Sequence, residues 1–275
     1  MLRLLSKILL FAIAMFALFV FFKEPTNDRE WTPDLAKLAQ VEIYEGGEGT
    51  KVGIKNIRDS TYEDGEENIQ YYSQIFDLAE LKKVWFLVEP FSDWEAAAHT
   101  FFVFDFKDGQ SIGFSVEARK EKNEKYSALR GLFREYELHY LFASERDLVL
   151  RRTDHLDHEV YMYPIDTNRE NVRNLFLRIA NRADELESEP AFYNTITSSC
   201  TTTLVRHINE TSPNKIKWWH KAQYLPGLSD RLAYDLGLID TDLPFEETRE
   251  QFSIKEKAND CASSDNFSLC LREKL

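Results

Sequence analysis

The sequence predicts an α+β fold, with an antiparallel sheet packed against helices and one apolar helix ahead of them. Three observations carry this. Aromatic and β-branched runs bounded by turn residues recur between Leu78 and Tyr163. The stretch Glu170 to Leu186 places Val172, Leu175, Phe176, Ile179 and Ala183 on one helical stripe. An uncharged run, Ile8 to Phe22, precedes both. With 275 residues, of which 43% are hydrophobic and 13% aromatic, the chain can bury a sizeable core.

The leading run approaches the roughly 20 residues that cross a bilayer. Arg3 and Lys7 stand before it and Lys23-Glu24-Pro25 after it. By the positive-inside rule this predicts an inner-membrane, single-pass anchor over residues 1–23, with the body in the periplasm. A cleaved signal peptide is the alternative. The bulky exit Leu18-Phe19-Val20-Phe21-Phe22 offers no small-residue cleavage site and favours the uncleaved anchor. Residues 24–30 read as a linker, 31–245 as the periplasmic domain and 246–275 as a polar tail. With 47 acidic against 34 basic residues and a net charge of −13, the composition argues against nucleic acid as a partner.

Along the chain, Leu35 to Gln40 has a helical pattern behind Pro33. Glu42 to Lys55 is rich in glycine and glutamate, and Ile54, Ile57 and Tyr62 hint at a strand. Leu78 to Val88 reads as a strand ending at Glu89-Pro90. His99 to Phe106 and Gln110 to Glu117 flank Lys107-Asp108-Gly109, a hairpin signal. A three-residue turn with Gly109 as the bulge residue pairs Phe106 with Gln110. It sets Phe102 and Phe104 beside Val116, Phe114 and Ile112, and His99 opposite Glu117. A two-residue turn would mix apolar and polar faces, so segregation selects the first register. Glu117 to Lys125 is charged and leaves the sheet. Ser127 to Tyr140 reads as a helix, or a helix running into a strand. Glu145 to Arg152 and Val160 to Tyr163 read as strands. Trp218, Trp219, Tyr224 to Gly227 and Leu232 to Leu238 are expected to supply late packing.

The chemistry concentrates at Tyr193 to Arg206. Thr195 to Thr197 is extended and β-branched, and a helical pattern of Leu204, Val205 and Ile208 follows. Ser198 or Ser199 is the expected N-cap, so Cys200 falls in the first turn. There the helix dipole and unpaired N–H groups favour a thiolate. A buried structural thiol is the alternative reading. Three cysteines in an exported chain leave an odd one. Cys261 and Cys270, with eight residues between them, are expected to pair, which leaves Cys200 free. Of six histidines, His207 lies two turns along the cysteine's own helix and His139 sits in an apolar run. His155 and His158, with Asp154 and Asp157, have a metal-like spacing but read better as a solvated loop, so no metal and no cofactor is expected. His99 remains as the base, with Glu117 to orient it.

Several pieces resemble one family in order: Asn56-Ile57-Arg58-Asp59, Ala98-His99-Thr100, Ser115 to Arg119, Leu129 to Arg134, Tyr136-Glu137-Leu138, Ser144 to Asp147, Tyr193-Asn194-Thr195 with Cys200-Thr201-Thr202, Pro226-Gly227, and Ala233 to Leu238. Together they resemble the bacterial Lnb N-terminal periplasmic domain family, named for a lipoprotein N-acyltransferase. The resemblance implies a permuted NlpC-type, papain-like architecture, with Cys200 as nucleophile and His99 as its histidine. Ser199, Thr201, Arg119 and Tyr193 are the expected substrate contacts. Ser199 departs from the asparagine usual before the cysteine. The chain also has one apolar helix where the name-giving enzyme has several. The expected function is a membrane-anchored acyltransferase or hydrolase acting on membrane lipid, lipoprotein or amide acyl groups. The alternative is a non-catalytic envelope protein that keeps the fold for binding.

Overall fold

The computed structural model describes residues 2–46, 49–63, 66–212 and 215–275. Met1 of the expected anchor, and Gly47 and Glu48 of the glycine- and glutamate-rich stretch, lie outside them. Helix α1 (Leu2–Phe22) leads into strands β1 (Gln40–Gly46), β2 (Gly49–Arg58), β3 (Thr61–Glu63), β4 (Glu66–Asn68), β5 (Tyr71–Asp77), β6 (Leu81–Pro90), β7 (Ala98–Phe106), β8 (Ser111–Arg119) and β9 (Glu137–Ala143). Then follow α2 (Glu145–Leu150), β10 (Tyr161–Pro164), α3 (Arg169–Ser188), α4 (Cys200–Thr211), α5 (Ser229–Asp235), α6 (Phe245–Gln251), α7 (Lys255–Asp260) and α8 (Phe267–Glu273).

The main sheet runs β1-β2-β9-β8-β7-β6-β10, with β5 also on β2; β3 and β4 form a separate hairpin. Successive side chains of a strand point to opposite faces, and here both faces are buried. On one face Phe102, Phe104, Phe114 and Val116 pack under α3 and α4 in the larger core. Phe176 of α3 is its hub, with ring centroids 5.0 Å from Phe104 and 5.9 Å from Phe106. On the other face Phe101, Val103 and Leu141 meet Leu148, Val149, Ile254, Ala258 and Leu271.

Several expectations need correction. The sheet is mixed rather than wholly antiparallel, because β2 meets β9 in parallel through the single pair Arg58 and Ala143. No tight turn joins these strands, so nothing local forces an antiparallel match. Glu145 to Arg152 is helical, not a strand. Ser144 caps it by accepting from the Asp147 N–H at 3.1 Å, and Glu145 and Asp147 sit in the favourable first turn. A short apolar run cannot by its periodicity tell buried strand from buried helix. Leu35 to Gln40 makes only a single 3-10 turn, Pro33–Leu35, before β1 begins. Trp218 and Trp219 are exposed rather than packed. Residues 246–275, polar in sequence, include α6 to α8 and bury Ile254, Ala258, Phe267 and Leu271. Cys261 and Cys270 form a disulfide there, and Cys200 is free. The anchor expectation holds only as a helix: α1 forms, but among the described residues no helix is long and apolar enough to cross a membrane.

At the β2 end, Asp147 takes Arg58 in a two-pronged pair (2.7 and 2.8 Å) and also accepts from the Ser60 N–H and the Tyr62 hydroxyl. Arg58 and Asp147 are both buried. Removing one charge of such a pair leaves the other stranded. Asp147→Asn is therefore expected to lower unfolding stability by about 3–5 kcal/mol in urea denaturation.

Candidate active site

The segment before α4 is folded by its own side chains. The Asn194 carboxamide oxygen accepts from the Ile196 and Thr197 N–H groups, each at 3.0 Å, and the Ser198 N–H reaches the Asn194 carbonyl at 3.0 Å. Ser199 is the N-cap, as expected. Its hydroxyl accepts from the Thr202 N–H, while the Thr202 hydroxyl accepts from the Ser199 N–H at 2.8 Å. This reciprocal cap starts α4 at Cys200, where the helix dipole favours negative charge.

His99 is delivered by the β7–β8 hairpin in the expected register. Gly109 takes φ +87°, and the Phe106 N–H donates to Gln110 at 2.9 Å. Phe102 lies opposite Phe114, and Phe101 opposite Ser115. Two residues further along, His99 meets Glu117, with Nε2 3.3 Å from Oε1. A residue that sequence reasoning left unassigned mediates the contact. The Ser115 hydroxyl lies 2.7 Å from His99 Nε2 and donates to Glu117 Oε1 at 2.6 Å. With its one proton committed to Glu117, the hydroxyl must accept from Nε2–H. The hydrogen-bond network thereby assigns the Nε2 proton, and the ring also makes a hydrogen bond with Cys200.

The electrostatics follow from this enclosure. Burial opposes charge on His99, but the Glu117 carboxylate and the Cys200 sulfur outweigh it and push its pKa up to about 10. Burial pushes the Cys200 thiol up; His99, by charge and hydrogen bond, and the Thr100 N–H bring it down to about 7. Burial raises the Glu117 pKa, yet His99 and Arg152 hold it well below the usual carboxylate range. Near neutrality the imidazole is protonated and a substantial fraction of the thiol is thiolate.

The remaining expected residues divide. Tyr193 and Ser199 line the same cleft of about 600 Å³ as Cys200, His99 and Glu117. The Tyr193 hydroxyl lies 3.2 Å from that of Tyr126, another cleft residue. Thr201 turns away from this cleft and bonds Thr100 at 3.0 Å. Arg119 is not in the cleft either. Its guanidinium donates to Leu35 O, Ala36 O and Asn27 Oδ1 and lies over the Trp31 ring, tying down the chain after α1. His139 is buried, its ring nitrogens without partners among the described residues, and burial with nearby Arg119 pushes its pKa down to about 3. His207 bonds the Tyr140 hydroxyl at 2.7 Å. Of the metal-like motif, the His155 ring lies tilted against Tyr62, centroids 5.0 Å apart, and His158 Nδ1 bonds Glu89 at 2.8 Å. Among the described residues no cluster of three or more His, Cys, Asp or Glu is placed to hold a metal ion.

Sequence reasoning missed Ser115, Tyr126, Glu89 and Arg152. Glu89 pairs in register with His99 on the neighbouring strand. Arg152 spans Glu89 at 2.6 Å and Glu117 at 3.4 Å, and lies over the Phe101 ring. It sits in a π-helical turn, Arg151–His155, that continues α2; such turns recur at functional sites. The mistaken strand hid this placement. Ser115 alone had a signal, since the hairpin register already set it on the His99 face.

The site defines a class: an α+β domain whose cleft pairs a helix-start thiol with a strand-borne imidazole and a carboxylate. The family model of the Lnb N-terminal periplasmic domain matches residues 68–226, a span that holds Cys200, His99 and Glu117, and the chain belongs to that family. Comparison with curated proteins and with solved structures returns no match.

The lowered thiol pKa has a direct readout. A depressed pKa means thiolate persists above it, so alkylation of Cys200 by iodoacetamide should rise through a midpoint near pH 7. In His99→Ala the midpoint should move upward, towards or beyond the ordinary thiol range near 8.5.

Proposed function

We propose that this domain is a thiol enzyme of acyl transfer, an acyltransferase or hydrolase, working on lipid, lipoprotein or amide acyl groups in the periplasm. The observation that carries this reading is the Cys200–His99 pair at the start of α4, with the imidazole pinned by Ser115 and Glu117. The order of parts, a histidine on a strand followed later in sequence by a cysteine on a helix start, agrees with a permuted papain-like architecture.

In this mechanism the Cys200 thiolate attacks the acyl carbonyl, forming a C–S bond and an oxyanion. Backbone N–H groups of the first turn of α4, including that of Cys200, face the oxyanion; losing one such donor typically costs about 10²–10³ in rate. As the tetrahedral adduct collapses, the imidazolium gives its proton to the departing oxygen or nitrogen, leaving a thioester. An acceptor hydroxyl, amine or water then attacks the thioester and gives its proton to His99 as the C–S bond breaks. Glu117, through Ser115, keeps the imidazole turned to the sulfur. Tyr193 and Ser199 are the proposed contacts to the acyl substrate from the cleft wall.

Helix α1 is proposed as the membrane tether. Leu4, Leu5, Ile8, Leu9, Leu10 and Phe11 are exposed on it. Arg134 receives its end through the carbonyls of Phe21 (2.8 Å) and Lys23 (3.2 Å). An active domain held there would meet substrates at the membrane.

Assay of acyl transfer or ester hydrolysis tests the reading. Cys200→Ala and His99→Ala should each abolish turnover. Glu117→Gln should lower kcat by about 10-fold or more but less than either, since general acid–base catalysis as a whole contributes roughly 10²–10⁴. Unchanged turnover in Cys200→Ala would overturn the thiol mechanism, and no turnover of any acyl substrate by the unmodified chain would leave the domain as a binding protein.

A further inference from the structure

On a chain whose net charge is −13, residues 215–221 read Lys-Ile-Lys-Trp-Trp-His-Lys, without an acid. Trp218 and Trp219 are 73% and 62% exposed, among the most exposed large hydrophobic side chains outside α1. Adjacent tryptophans in water are unfavourable unless a partner covers them.

The segment is held firmly. Ile216 is buried with Val205, Ala222 and Leu232. Asn209 clamps it through both backbone groups, accepting from its N–H at 2.6 Å and donating to its carbonyl at 2.8 Å. The Gln223 carboxamide donates to Lys217 O at 2.5 Å, and the Tyr224 hydroxyl donates to Trp218 O at 2.6 Å. Lys217 lies 5.4 Å above the Trp219 ring. An ordered frame thus presents two indoles outward with cations beside them.

The frame adjoins the cleft. Tyr224 and Pro226 line it together with Phe91 and Trp94 from the β6–β7 loop, both exposed. Gly227 bonds Ala96 O at 3.1 Å and fits so closely that a Cβ would meet Glu95 O at 1.8 Å. Across the cleft, Tyr126 and Ala128 lead to the exposed Leu129 and Phe133, and then to Arg134 on the end of α1.

We propose that the Lys215–Lys221 segment is an interfacial docking element that seats the cleft mouth on an anionic lipid bilayer, Trp218 and Trp219 entering the headgroup region and the lysines meeting the lipid charge. Tryptophan is amphipathic and favours that depth. Lysines near an anionic surface add attraction that salt screens. Three lysines without an acid among seven residues, on a chain of net charge −13, favour a bilayer surface bearing negative charge. Docking there would open the cleft towards membrane-embedded acyl chains, so the inference deepens the proposed acyl chemistry. The surface itself does not depend on Cys200.

Because the proposed tether α1 would hold the chain on a vesicle whether or not this segment docks, the test reads tryptophan position rather than binding. The full chain is reconstituted in vesicles of phosphatidylcholine with phosphatidylglycerol brominated in the upper acyl chain, and tryptophan quenching is recorded. Trp218→Phe/Trp219→Phe should lose most of the quenching, and Lys215→Gln/Lys217→Gln/Lys221→Gln should weaken it, as should high salt. Cys200→Ala should keep it in full, which separates this inference from the enzymatic one. Quenching unchanged in the double tryptophan variant would overturn the proposal. So would absent quenching with a dimer in detergent that the same variant dissolves, since the face would then bind a second copy.

Discussion

Cross-strand register at one level of the sheet governs the site. Pairing of β6 with β7 sets Glu89 against His99, and pairing of β8 with β9 sets Glu117 against His139. The hairpin between them brings His99 to Glu117. A slip of one residue in the β7–β8 pairing would send the imidazole to the face opposite Glu117. The turn at Gly109 prevents it, because φ +87° is costly for other residues.

Burial then gives the row its chemistry. Isolated charges in such surroundings would be neutralised, so each is matched. Glu117 faces His99 and Arg152; Glu89 faces Arg152 and His158. A raised His99 pKa means its ion pairing supports the fold below the unfolded value near 6.5, and that support fades as pH climbs towards about 10. Glu117, depressed, contributes above its unfolded pKa and loses that contribution as pH falls. Both are in place near neutrality, where the thiolate also exists. His139, set against Glu117 in the same row but without a hydrogen bond to it, goes the other way, because burial outweighs the carboxylate and pushes its pKa down to about 3.

Much of this was legible in the sequence where a local rule applied. Face segregation chose the β7–β8 register, the serine pair Ser198-Ser199 announced the start of α4, and the stripe of Val172, Leu175, Phe176 and Ile179 marked α3. Cysteine parity separated Cys200 from the Cys261–Cys270 pair. Reading failed where long-range packing decides. Leu148 and Val149 suit a strand as well as a helix, and only the Ser144 cap and the sheet face beneath them settle the matter. Arg152 and Glu89 meet across a fold that no turn specifies. The C-terminal helices looked polar because a few well-spaced residues, Ile254, Ala258 and Leu271 among them, carry their burial. Hydrophobicity alone points Trp218 and Trp219 inward, yet both are exposed, since apolar residues need not be buried.

The central claim is that an acyl group resides on the Cys200 sulfur between the two halves of the reaction. Mass spectrometry of the intact protein after brief exposure to an activated short-chain ester tests it most directly, followed by peptide mapping and hydroxylamine treatment. The account predicts one added acyl mass, located on Cys200, removed by hydroxylamine and absent from His99→Ala at the same exposure. An acyl mass on any other residue, or equal acylation of Cys200 without His99, would contradict it.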